Sequence, residues 1–410
     1  LENSLLFLLS AIFLKKYFEN EKYDAGRLFV LGLLISLIAM TRMDAVLMFV
    51  PMVLYAYIAK RERVSFIRSV GIGALGLMPF AAWEIFSLIY YGFLVPNTAF
   101  VKLGTDIPRI EYIKRGVWYY LNSALCDIPV LLIPFAVILI TFFVKKARYL
   151  WMSAGIALYG IYILYIGGDF MMGRHFTVMF FISLIGFNEM YNREFADNVR
   201  RNKGNIVFMK TVIIAGLIYV MTMGVITDQF LFGQKFSSPV SDERANYFKW
   251  TSLFNNAVSY LTTGEMCIRD AWNDEGIDRL REMGYSGGIL KMVPGISIYY
   301  NSDMYLNDMY GLGDPFLSKL PAVREAGWRI GHMWREAPEG YDVTVISGEN
   351  QIVNEDISRY YEVIKLITRG RIFDKERLKA VIDINLGKYD HLIDAYKSTL
   401  DENNRQIITE

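Results

Sequence analysis

The chain is poor in the residues that make chemistry easy to recognise. It has two cysteines, Cys126 and Cys267, too far apart and too few for a disulfide framework or a cysteine-built metal centre. Its three histidines, His175, His332 and His391, are scattered, and no His-Glu-x-x-His occurs. A Walker lysine motif, a nucleotide-binding glycine fingerprint after a strand and a Gly-x-Ser-x-Gly elbow are lacking as well. The sequence therefore offers no machinery for a soluble nucleotide donor. An excess of one charge is also missing: 43 Lys and Arg against 42 Asp and Glu leave +1, so no long-range field points to nucleic acid. Internal repeats and low-complexity stretches are absent.

Apolar and aromatic residues are plentiful. The 410 residues are 53% hydrophobic, with 27 Tyr and 27 Phe, and the mean hydropathy is +0.26. Apolar segments run over 3–18, 26–41, 44–60, 66–91, 127–144, 148–166, 175–192 and 206–227. A bilayer crossing takes about 20 apolar residues, so these predict a domain of about eight transmembrane helices. The first, second, third and seventh are short and would need their amphipathic flanks to complete the crossing. Alternate connections carry sixteen Lys and Arg against six, which predicts the richer set inside and residues 228–410 outside. Leu1 lies at the edge of an apolar run, so the chain reads as one that has lost upstream helices, an odd number and most simply three.

After about residue 227 the character changes, with frequent charges and no long apolar run. Residues 287–300 and 341–347 read as short strands between Gly and Pro breakers, and 265–283, 354–369 and 375–397 have helical spacing. The fold class predicted is a polytopic α-helical membrane domain over 1–227, followed by a mixed α/β extracytoplasmic domain over 228–410. The pentapeptide Met266-Cys267-Ile268-Arg269-Asp270 can be encoded by a transposon adapter used in shotgun sequencing, or it is an ordinary helix start.

Three connections on the predicted outer side hold compact polar clusters. They are Thr41-Arg42-Met43-Asp44, the stretch from Tyr90 through Pro96 and Asn97 to Lys102, and the stretch from Gly167 through Asp169 to Arg174 and His175. Glu84 sits inside an apolar helix, where an ionisable group usually faces a wet cavity or a partner. Local readings stand beside these. Arg42 and Asp44 can pair within a turn, Pro96 and Asn97 can stop a helix, Gly167 to Asp169 can be a plain turn, and Arg174 and His175 can anchor headgroups.

Taken in order, these segments resemble the GT-C class of membrane glycosyltransferases, and within it the terminal β-arabinofuranosyltransferases and their bacterial relatives. The resemblance is carried by Leu1-Glu2-Asn3, by the three clusters above, and by four later segments. These are Asp308 to Pro315, Trp328 to His332, Pro338 to Tyr341 and Ile367 to Gly370. It implies an enzyme of a bacterial inner membrane that moves a sugar from a polyprenyl-phosphate donor to an envelope glycan or glycolipid on the outer face. The partners implied are the lipid-linked sugar, the acceptor and the bilayer. No cofactor and no dedicated metal ligands are implied, a divalent metal staying open.

Arg42, Lys102, Arg174 and His175 are then expected to bind the donor phosphate, whose charge grows as the glycosidic bond breaks. Asp44, Glu84, Asn97, Asp169, Tyr310 and Asp314 are expected to bind sugar or acceptor. In such enzymes the base lies in the first extracytoplasmic loop, which is expected upstream of Leu1. Lys102, Asp169 and Arg174 are expected to line one shared cavity. For Asp314 there is also a local reading, as the cap of a helix starting near Pro315. Two other functions fit the same composition: a transporter or flippase for a lipid-linked sugar, and a homologue that binds glycan without turnover.

Overall fold

The computed structural model describes residues 2–20, 22–59, 64–196, 240–241, 252–267, 274–285, 287–290, 295–323 and 328–400, with isolated positions between 207 and 219. The predicted segment 206–227 and the last three residues of the 266–270 pentapeptide lie almost entirely outside them. Sixteen α-helices and two short strands are formed among the described residues. The chain divides into two compact units, Leu1–Glu84 with Tyr112–Lys235, and Ile85–Glu111 with Phe236–Glu410. Residues 85–111 thus go with the second unit, although they sit in sequence between two parts of the first.

In the first unit the helices are α1 (Glu2–Phe18), α2 (Ala25–Thr41), α3 (Val46–Leu54), α4 (Phe66–Tyr90), α6 (Arg109–Cys126), α7 (Pro129–Val144), α8 (Ala147–Tyr165) and α9 (Phe176–Met190), with α4 and α6 running on into the second unit. The apolar segments among the described residues do form helices, but the predicted polytopic membrane domain is not what they build. Only α4, with 25 residues, is long and apolar enough among the described residues to cross a membrane. Helices α6 and α7 pass that test only together, and they are bent by 105° at their junction. At 1.5 Å per residue, the 17-residue α1 and α2 reach about 26 Å, short of a hydrocarbon core of about 30 Å. The 19-residue α8 is diluted by Arg148, four tyrosines and two glycines. The sixteen-to-six charge asymmetry presupposed eight crossings and loses that frame.

Packing in this unit depends on small residues at crossings. Gly155 on α8 lies directly against the Met48 carbonyl of α3, where any Cβ would collide with it. Helix α6 was not foreseen, yet its buried positions Tyr112, Gly116, Tyr119 and Ser123 recur at steps of four, three and four, one face of a helix. At the turn between α1 and α2, Arg27 spreads its guanidinium over the carbonyls of Lys16, Asn20 and Lys22, which fixes that corner.

The second unit holds α5 (Asn97–Leu103), α10 (Leu253–Thr263), α11 (Asp274–Glu282), β1 (Gly287–Leu290), α12 (Gly295–Tyr300), β2 (Tyr305–Asp308), α13 (Tyr341–Ser347), α14 (Glu355–Arg369), α15 (Lys375–Asn385) and α16 (Asp390–Thr399). Strands β1 and β2 pair in parallel, Gly287 opposite Tyr305, with α12 in the connection that a parallel pair requires. The predicted strand over 287–300 ends at Leu290. Residues 341–347 form a helix rather than a strand: Tyr341, Thr344 and Val345 are buried at helical spacing, between Gly340 and Gly348 in left-handed conformations. Core packing there overrides a β-branched run. Of the predicted helix over 265–283, Asp274–Glu282 forms α11, and residues 268–273 lie outside the described residues. The one over 375–397 is broken in two at Leu386 to Tyr389.

Two buried arginines tie residues 85–111 into this unit. Arg377, 1% exposed, donates to the carbonyls of Ile89 and Tyr90 at the end of α4 and to those of Ile367 and Ile372. Arg335, 2% exposed, donates to Val101, Gly104 and Leu320. The last carbonyls of a helix have no partner within it, and a planar five-donor group can serve several at once.

Candidate functional site

Residues far apart in the chain meet in the first unit. The connection after α2 turns through Arg42 into a 3-10 turn, Met43–Ala45, which carries Asp44. Arg42 grips Asp44 with Nε to Oδ1 at 2.9 Å and Nη2 to Oδ2 at 3.2 Å. The local pairing read from the sequence therefore exists, but it does not end there. Arg42 Nη2 also donates to the Tyr159 hydroxyl at 3.2 Å and meets His175 Nδ1. Tyr159 in turn donates to Asp44 Oδ2 at 3.1 Å and lies 3.1 Å from the same histidine nitrogen.

The connection between α8 and α9 supplies the other wall. It opens with Gly167 and Gly168, both at positive φ. A Cβ on Gly168 would drive into the Tyr119 ring, so this turn needs glycine for conformation and for space. Asp169 is 2% exposed and accepts from the Phe170 amide at 2.8 Å. Its Oδ2 faces Arg174 Nη1 at 3.5 Å and His175 Nε2 at 3.6 Å. Arg174 reaches outward to Glu2 at 2.9 Å, and these two are the exposed members, with side chains 34% and 43% open. The Tyr119 hydroxyl accepts from the His175 amide at 3.2 Å and donates to the Met171 carbonyl at 3.2 Å.

Arg42, Asp44, Asp169, Arg174 and His175 are thus brought together; of the three residues expected to line one cavity, Asp169 and Arg174 face each other at 3.5 Å, and Lys102 belongs to the second unit. Glu2, Tyr119 and Tyr159 belong with the cluster and were not singled out as site residues. A signal existed for the tyrosines, because a buried phenol in an apolar helix needs a partner for its hydroxyl. The arginines do not stand as open cations. Arg42 is committed to Asp44, and Arg174 is shared between Glu2 and Asp169.

Of the remaining candidates, Glu84 belongs to the first unit and Asn97, Lys102, Tyr310 and Asp314 to the second. Glu84 is half-buried on α4, with Oε1 making no hydrogen bond. Asn97 opens α5 in the second unit, and Lys102 near its end lies against Gly331. Tyr310 is half-buried, its ring 5.2 Å from that of His332. Asp314 is 1% exposed, and its carboxylate accepts from the amides of Phe316 and Leu317, from Asn307 and from the Tyr341 hydroxyl. Asp314 thus bonds the amides two and three residues ahead, just before the short 3-10 turn Leu317–Lys319, whose own cap position is Phe316. Burial pushes the Asp314 carboxyl up to about 6, against the pull of those donors. Beside it, Lys319 lays its ammonium on the rings of Phe93 and Phe100, and burial pulls it down to about 6.

No group of three His, Cys, Asp or Glu side chains suited to a metal ion occurs among the described residues. No family model, curated protein or solved structure matches the chain.

Proposed function

We propose that the chain is a membrane-associated glycosyltransferase that moves a sugar from a polyprenyl-phosphate donor to a glycan or glycolipid acceptor. The observation that carries this reading is the convergence of Arg42, Asp44, Asp169, Arg174 and His175, drawn from two connections 125 or more positions apart, into one partly buried cluster. The segments that supply them are the ones that resemble glycosyltransferases of the GT-C class. Carboxylates in such a cluster accept from sugar hydroxyls, and one can take the acceptor's proton. Arg174, whose partner Glu2 is exposed, can turn to a phosphate, and a guanidinium grips phosphate with two parallel hydrogen bonds. Helix α4 is the described element suited to hold the chain in a bilayer; only 11% of its apolar window is buried.

The test is transfer of labelled sugar from a polyprenyl-phosphate donor to an extracted lipid or glycan acceptor by the full chain reconstituted in vesicles. Labelled product is expected. Donor that is bound, or carried across the vesicle, without product would replace this reading with the binding or transport one.

A further inference from the structure

We infer that the cluster of Arg42, Asp44, Tyr159, Asp169 and His175 takes the hydroxyl groups of a neutral sugar rather than a phosphate, and that His175 serves it as a neutral imidazole donating from Nε2. This rests on the glycosyl-transfer reading and reassigns two of the groups expected to hold phosphate.

The protonation follows from the donors around the ring. A guanidinium has only donors, so a proton on His175 Nδ1 would set N–H against the N–H groups that Arg42 Nη2 shares among Asp44, Tyr159 and this nitrogen, and Asp44 Oδ2, at 3.5 Å from Nδ1, is at the far limit for taking such a proton. An imidazolium would set a second N–H against the guanidinium. His175 is therefore neutral, with its proton on Nε2. Tyr159 and Asp44 hold Arg42 in the position that enforces this, which makes Tyr159 a positioning residue.

The ligand class follows from charge and from what is left unsatisfied. Within these five residues, Asp44 and Asp169 supply two carboxylates against the one guanidinium of Arg42. A phosphate brought beside Asp44 and Asp169 would meet like charge. A hydroxyl can both donate and accept, so it suits a wall that mixes carboxylates with N–H groups. Two N–H donors are present without partners. Arg42 Nη1 and His175 Nε2 are buried and make no hydrogen bond, on side chains only 9% and 7% exposed. Asp169 Oδ2, at 3.6 Å from Nε2, is too distant to satisfy it. Buried donors of this kind are rarely left unmade, and each can serve one ligand oxygen. Arg174 joins the buried Asp169, at 3.5 Å, to the exposed Glu2, and exposed pairs part at little cost.

The experiment is nitrogen NMR of the full chain carrying isotopically labelled histidine, with His332→Gln and His391→Gln used to assign the His175 signals. In the ligand-free protein, His175 is expected to show a protonated Nε2 and an unprotonated Nδ1, unchanged from about pH 5.5 to 8, a window that spans the ordinary histidine value. Titration with free arabinose, mannose and galactose is expected to shift the Nε2 signal for at least one of them, and inorganic phosphate is expected to leave it in place. Tyr159→Phe is expected to make the tautomer pattern pH-dependent, which a purely structural tyrosine would not do. A proton on Nδ1, an imidazolium near neutral pH, a shift with phosphate, or no shift with any sugar overturns the inference. Labelled product formed by a protein with no sugar-induced shift sinks this inference and leaves the transferase reading standing. A sugar-induced shift in a protein that forms no product does the reverse.

Discussion

Removing one oxygen atom at Tyr159 should weaken the first unit measurably, although the ring stays. The hydroxyl donates to Asp44 at 3.1 Å, accepts from Arg42 at 3.2 Å and lies 3.1 Å from His175 Nδ1. Hydrogen bonds to charged groups contribute about 1.5–3 kcal/mol each. Tyr159→Phe loses two of them, but Arg42 and Asp44 keep both of their mutual bonds, so part of the loss is offset. The expected cost is about 1–3 kcal/mol of local stability. Hydrogen exchange followed by mass spectrometry on peptides covering residues 40–48 and 155–176 reads that change directly. Tyr162→Phe, three residues along the same helix with its ring 5.9 Å from that of Tyr159, serves as the control and should change exchange by less than about 0.5 kcal/mol. In an Asp44→Asn background the Tyr159→Phe cost should shrink by about 1–2 kcal/mol, since the two residues are coupled through one contact. An unchanged exchange rate, an equal effect at Tyr162, or simple additivity with Asp44→Asn would show that the hydroxyl is not held as the geometry indicates.

Three further outcomes can be checked on the same protein. Arg377→Met should destabilise the second unit by about 2–4 kcal/mol in denaturant unfolding, because four carbonyls, one buried and three part-buried, lose their donor, and Arg377→Lys should restore only part of it. Gly168→Ala should cost about 2–5 kcal/mol, from a left-handed φ and a collision with Tyr119, read as a lowered unfolding midpoint. Stability of the second unit should depend on pH with two opposite slopes. Asp314, raised to about 6 in the fold, loses stabilisation as pH rises from about 4 to 6, while Lys319, lowered to about 6, regains it as pH rises from about 6 to 10. A stability minimum near pH 6 follows. Lys319→Met should remove the alkaline rise, with its advantage greatest below pH 6 and gone by about pH 10.5.

Helix positions were legible because apolar spacing reports them: 127–144 became Pro129–Val144 and 148–166 became Ala147–Tyr165. Their role was not, since a run of 15 to 19 apolar residues suits a core helix as well as a short crossing. Arg42, Asp44, Asp169, Arg174 and His175 stood out as charge or imidazole among apolar neighbours, and they do meet. Tyr119 and Tyr159 did not stand out, because tyrosine in an aromatic-rich chain reads as an interface residue until its hydroxyl is seen to have partners. Asp314 carried two readings that sequence alone could not separate. Both belong to a carboxylate before a proline, and the local one is seen in the bonds from the amides of Phe316 and Leu317. The strand expected at 341–347 failed for a related reason: its β-branched residues are helical where the core requires Tyr341, Thr344 and Val345 on one face.

Whether this cluster is a transfer site is decided most directly by the turnover of an Arg174 variant. Arg174→Gln removes the one exposed guanidinium of the cluster, whose ion pair with Glu2 at 2.9 Å is open to solvent. Arg193→Gln, which on the same unit breaks a pair with Glu189 and one bond to the Phe18 carbonyl, is the control. With the full chain in vesicles and a labelled polyprenyl-phosphate sugar, Arg174→Gln should lower the transfer rate by about 100- to 1,000-fold, as expected for losing one donor to a developing phosphate charge. Arg193→Gln should transfer at the wild-type rate. Equal rates in all three proteins, or no product from the wild type with acceptor present, would contradict the assignment.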